Sequence, residues 1–136
     1  MDRMNTQKVL KIDGTSATIV VASTANAYSH SIKLDESTAF AVSMKVDGTS
    51  PDIDVYAEQT HIKPVTEGEA ISTTNGWQQA VGASKLADLI VDGQWYHFTL
   101  SPLALPYLRF LLDGQGSNPA DAAVTIYITK LTDFGH

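Results

Sequence analysis

Phe40-Ala41-Val42-Ser43-Met44-Lys45-Val46-Asp47-Gly48-Thr49-Ser50-Pro51-Asp52-Ile53-Asp54-Val55-Tyr56-Ala57-Glu58 is the stretch that decides the fold class. Phe40, Val42, Met44 and Val46 share one parity. After the Asp47-Gly48 break, Ile53, Val55 and Ala57 share one again, with Asp52, Asp54, Tyr56 and Glu58 between them. Successive side chains of a strand point to opposite faces, so a period of two gives each segment one face to bury and one to keep wet. Leu108, Phe110 and Leu112 repeat the pattern, as do Val124, Ile126 and Ile128.

Working outward, the spacing predicts strands over 7–12, 17–23, 28–34, 38–47, 52–59, 95–100, 106–113 and 122–131. Residues 1–6 are expected as a flexible N-terminal arm and 64–76 as a long polar loop. Two readings stay open for 79–91. Ser84 can cap a short helix with Leu86 and Ile90 four apart, or Asp88-Leu89-Ile90-Val91 is a strand ending at Asp92-Gly93. Asp-Gly recurs at 13–14, 47–48, 92–93 and 113–114, each time after an apolar strand end. Glycine supplies the positive φ of tight turns, and aspartate tolerates it better than most residues. Short strands at regular spacing with such breaks point to an antiparallel sandwich or barrel.

A chain of 136 residues fits a single domain, 1–136, and buries enough surface to need no staple. It has no cysteine, which excludes disulfides, thiolate metal sites and cysteine nucleophiles. Nine Lys+Arg against fifteen Asp+Glu give a net charge of −6. That balance argues against nucleic acid and anionic membranes as partners. The opening residues, Met1 to Gln7, lack the apolar core of a signal peptide, and no apolar run is long enough to span a bilayer.

No residue pattern nominates a catalytic centre or a cofactor. None of the four histidines lies in a nucleophile motif, and His97, inside Trp95-Tyr96-His97-Phe98, reads as a packed or rim histidine. Asp52, Asp54 and Glu58 share a parity that could present carboxylates to a cation, but a solvated polar face is the simpler expectation, so no metal site is assigned. Trp77, Trp95, Tyr96, Tyr107 and Tyr127 are the rings from which a carbohydrate platform could be built, and Tyr56 and Tyr127 have outward parity at matching places in two similar hairpins. The candidate interface or ligand contacts are therefore Trp77, Tyr56, Tyr127, Asp52 and Asp54.

Val46-Asp47-Gly48-Thr49-Ser50-Pro51-Asp52-Ile53-Asp54-Val55 resembles a DGTSPTLDV strand-turn-strand of tailed-phage virion proteins. Asn75-Gly76-Trp77 matches the tryptophan-containing turn that follows there. Tyr107-Leu108-Arg109 with Gly114-Gln115-Gly116-Ser117-Asn118-Pro119-Ala120 and Val124-Thr125-Ile126-Tyr127 matches a later segment. The likeness spans residues 38–131, with a longer stretch between Gln59 and Trp77 than in those proteins. It implies a small all-β, antiparallel, jelly-roll-like sandwich of about eight strands. It implies a non-enzymatic virion protein, assembled in the host cytoplasm, of the head decoration or cement type or a tail accessory. Its partners would be capsid or tail proteins and further copies of itself, with a trimer favoured. The alternative is a carbohydrate-binding module that uses exposed aromatics. No catalytic residues carry over.

Overall fold

A computed structural model describes residues 2–9, 18–33, 37–61, 78–79, 85–100, 107–115 and 121–133. Among them are eleven strands and no helix: β1 Asp2–Val9, β2 Ile19–Val21, β3 Asn26–Tyr28, β4 Ile32–Lys33, β5 Ser37–Asp47, β6 Ile53–Thr60, β7 Gln78–Gln79, β8 Ala87–Leu89, β9 Trp95–Leu100, β10 Tyr107–Gly114 and β11 Ala122–Asp133.

Among the described residues all pairings are antiparallel and fall into two sheets. The first runs β1-β11-β5-β9, with β2 also on β11; the second runs β3-β10-β6-β7, with β4 also on β10 and β8 also on β6. Three of the neighbours are broken strands. β1 covers Ile126–Asp133 of β11 and β2 covers Ala122–Val124. β3 and β4 likewise share β10, and β7 and β8 share β6. With each broken pair counted once, both sheets are four strands wide. Successive strands then cross from one sheet to the other at every connection except β6 to β7/β8. That order is the eight-stranded jelly roll.

The alternation explains why two sheets form. Val42, Met44, Val46, Val124, Ile126 and Ile128 of the first sheet are fully buried, as are Ile53, Val55, Leu108, Phe110 and Leu112 of the second. They pack into one apolar cluster between the layers. Each such side chain contributes about 1.5–3 kcal/mol by leaving water.

The breaks have local causes. Between β3 and β4 the Ser29 hydroxyl accepts the Phe110 N–H at 2.8 Å, while the Ser29 N–H bonds the Phe110 carbonyl at 3.0 Å. A side chain thus keeps the ladder satisfied where the single predicted strand 28–34 divides. Residues 2–6, expected as a flexible arm, are instead part of β1, and Asp2 to Val9 pair residue by residue with Asp133 to Ile126. The arm reading missed this because the stretch carries little apolar alternation; its partner strand supplies the order. In 79–91 the strand reading holds. Ala87, Asp88 and Leu89 pair with Val55, Asp54 and Ile53, and Leu89 is fully buried in the core. The expected loop 64–76 and the Asp13-Gly14 turn lie outside the described residues.

The Asp-Gly pairs do two different jobs. Gly93 has φ +76° in a turn closed by the Gln94 N–H on the Val91 carbonyl, as expected of an Asp-Gly turn. Gly114 instead ends β10 directly under the corner where β2 crosses to β3. A Cβ there would lie 2.4 Å from the Ala22 carbonyl oxygen.

Two substitutions test this packing. Phe110→Asp buries an unpaired charge and should abolish the cooperative thermal transition in circular dichroism; a wild-type melt would place Phe110 outside the core. Gly114→Ala drives Cβ into backbone that cannot rotate away, so urea denaturation should show a loss of about 1–3 kcal/mol.

Candidate functional site

With the inner faces consumed by the core, the two outer faces carry the polar and aromatic side chains. On the first sheet, register places Tyr127, Ser43 and His97 in one row across β11, β5 and β9, with Thr125, Lys45 and Trp95 in the row beside it. Trp95 and His97 are two apart on β9, so both point outward while Tyr96 and Phe98 pack against the core. The two rings stack, centroids 6.2 Å apart and planes within 8°. Tyr127 stands 6.2 Å from Trp95 across β5, tilted by 41°. Ser43 is short, and a shallow, open depression lies beside it and the rings. Ser43, Trp95, His97, Tyr127 and Thr129 line a volume of about 320 Å3. At its floor Ser43 Oγ and His97 Nδ1 share a hydrogen bond of 2.7 Å. Trp95 is 42% exposed, large for a tryptophan.

The outer face of the second sheet is bound up in its own contacts. Arg109 Nε donates to Glu58 Oε1 at 2.8 Å, and the guanidinium lies 4.4 Å over the Tyr28 ring. Arg109 is only 4% exposed although its parity is outward. Tyr28, Leu111 and Tyr56 form the adjacent row. Asp113, Asp54 and Asp88 form the next but one, across β10, β6 and β8. Lys85 Nζ sits 2.8 Å from Asp88 and 3.4 Å from Asp54. Burial, and then a hydrogen bond with Asp88, hold the Asp54 carboxyl above its usual value of 3.8 against the pull of Lys85. Asp88 is held below 3.8, first by its hydrogen bond with Lys85 and then by that with Asp54. Among the described residues, no group of three or more His, Asp or Glu could hold a metal ion.

The five sequence candidates thus separate. Tyr127 lies in the depression on the first sheet. Tyr56 and Asp54 lie on the opposite outer face, because the chain crosses between sheets from β5 to β6. Asp52 precedes β6, and its carbonyl accepts the Gln115 N–H at 3.0 Å. Trp77 lies outside the described residues. Ser43, His97 and Thr129 were not among the candidates, and Trp95 was named only as a possible platform ring. The alternation in Trp95-Tyr96-His97-Phe98 is the signal that could have found the pair, since it sends Trp95 and His97 to the same side.

No family model matches the chain, and no curated protein matches it. Solved structures with similar backbones include the SPBc2 prophage-derived protein YomS, at 9% identity and TM-score 0.46 over 97% of this chain and 96% of that one. Infectious bursal disease virus, strain Gx, gives 8% and 0.48 over 99% of this chain and 33% of that chain. A structure described as CBM4 gives 16% and 0.41 over 91% and 84%. At these identities and scores the likenesses carry no functional weight.

The charged face makes two predictions. Glu58→Ala leaves the buried Arg109 guanidinium without its 2.8 Å carboxylate and should cost about 1.5–3 kcal/mol in urea denaturation, whereas Lys85→Ala, at an exposed ion pair, should change little. Asp54, with its folded pKa raised, makes stability fall as pH rises from 3.8 through that higher value. Asp88, with its folded pKa lowered, works oppositely, losing stability as pH falls below 3.8. Asp54→Asn removes the first group's charge and keeps an N–H for Asp88, so the decline above pH 3.8 should vanish from the urea midpoints; an unchanged slope would assign it elsewhere.

Proposed function

We propose that the protein is a non-enzymatic component of a tailed-phage or prophage particle, a capsid decoration or stabilising protein that works by contacts made on its outer surfaces. What supports this is where the phage-like motifs lie in the fold. The 46–55 motif is the end of β5, the crossing and the start of β6. The 107–127 motif is β10, its link and the start of β11. Each spans two strands that lie in opposite sheets, so the likeness concerns how the sandwich is made. The interior is filled by apolar side chains from both layers. That leaves the outer faces to meet other molecules, and the one observation that carries the reading is the exposed Trp95 beside Tyr127 on the first sheet. Aromatic anchors of this kind concentrate binding energy at protein contacts.

Self-association has a physical motive as well. Within the second sheet β3 and β8, both bounded by described residues, are three residues long, which blunts those stretches of edge. In the first sheet the outer strands β1 and β9 run eight and six residues. Long edges are templates for pairing, and pairing between copies is one way to cover them.

The protein should copurify with particles through a density gradient, and particles lacking it should lose integrity sooner on heating. Recovery of all the protein free of intact particles would overturn the proposal. Light scattering should give a mass above 14.6 kDa for the isolated protein, with the trimer favoured; a monomer at every concentration would remove the self-association.

A further inference from the structure

We infer that the depression on the first sheet is a saccharide site that takes one uncharged pyranose ring. The inference rests on the reading that this outer face is a working surface, and it names the chemistry the face recognises. Trp95 and Tyr127 stand on opposite sides of Ser43 and expose ring surface to the same hollow. A pyranose presents a face of C–H groups that packs on such rings, and its hydroxyls project around the rim. The lining has matching polar atoms in the Ser43 hydroxyl and the His97 imidazole. The Ser43–His97 hydrogen bond has no fixed direction, because either Oγ or Nδ1 can donate. A sugar hydroxyl is both donor and acceptor, so it satisfies the pair whichever way the proton lies. Either way the pair keeps one donor, the Ser43 Oγ–H or the His97 Nε2–H, and a lone pair on Oγ or Nε2 that accepts, and a sugar's neighbouring hydroxyls can meet both.

Size and charge narrow the class further. The volume of about 320 Å3 is at the lower end of small-molecule sites, which suits one ring better than an extended peptide. Among the described residues, no Lys, Arg, Asp or Glu lines the hollow. The nearest row contains Lys45, whose ammonium is 3.7 Å from Asp47. An acidic or phosphorylated sugar would therefore find no dedicated counter-charge.

The test is a titration of the 15N-labelled full chain with methyl glucoside, methyl galactoside, N-acetylglucosamine and glucuronic acid at millimolar concentration, followed by amide shifts. At least one neutral sugar should give saturable shifts centred on Ser43, Trp95, His97, Tyr127 and Thr129, and glucuronic acid should bind more weakly. Trp95→Ala, at an exposed position, should weaken that binding at least about tenfold, and Tyr56→Ala, on the opposite face, should leave it unchanged. Absence of saturable shifts with every sugar, or equal binding by Trp95→Ala, would overturn the inference. The two readings fail separately. Protein that attaches to particles through Trp95 and ignores sugars defeats the saccharide site alone. Protein that binds sugars and never joins a particle defeats the virion role alone.

Discussion

The mutual burial of two alternating faces is the constraint on which the other features depend. Neither sheet could exist alone, since each would expose a layer of valine, isoleucine, leucine and phenylalanine. Pressed together, they remove that surface from water and fix the register of every long strand. A slip of one residue in β5 would turn Phe40, Val42, Met44 and Val46 outward and Ser43 and Lys45 inward. The positions of the outer side chains are therefore set by the inner ones. Ser43 lies between Tyr127 and His97 because Val42 and Met44 must face the core.

The crossings impose a second condition. A jelly roll sends the chain back and forth between layers, so its corners bring backbones close together. The β2–β3 corner is four residues long and its Ala25 N–H bonds the Ala22 carbonyl. The Gly114 N–H bonds the Ala25 carbonyl directly beneath. At the other turn, the Gly93 N–H reaches the Val46 carbonyl and the Asp92 carboxylate takes the Gly48 N–H at 2.9 Å. The Tyr96 hydroxyl accepts from Ile90 and Val91. These bonds tie the start of β9 to the end of β5, which keeps Trp95 beside Lys45 and above Ser43.

The parity of the long strands was legible in the sequence, and with it the core, because period two is imprinted directly by burial. Short strands were legible in part: the predicted strand 28–34 contains β4 and the end of β3 but not the division at Ser29, and the strand reading of 79–91 finds β8, while the helix alternative stayed open there because three residues are too few for a period to decide. Of β1 only Gln7–Val9 was legible, within the predicted strand 7–12; residues 2–6 carry little apolar alternation and are ordered by pairing with β11. Outward parity was legible for Tyr56 and Tyr127, but not which sheet each would join. Similar hairpin sequences suggested equivalence, and the β5–β6 crossing put the rings on opposite sides of the domain. Arg109 shows another limit. Its position faces outward, yet a carboxylate from β6 and a ring from β3 cover it, and neither neighbour is close to it in sequence.

The contrast between the outer faces bears on where a ligand would act. On the second sheet, charges and rings engage one another: Arg109 with Glu58 and Tyr28, Lys85 with Asp54 and Asp88. A ligand there would have to displace contacts already made, at a desolvation cost that grows with burial. On the first sheet Trp95 packs against His97 and Tyr127, with centroids 6.2 Å apart and 42% of Trp95 left open to water. Covering that area displaces water and breaks no ion pair. The same register that packs the core therefore leaves one outer face largely satisfied by its own contacts and the other with exposed ring surface.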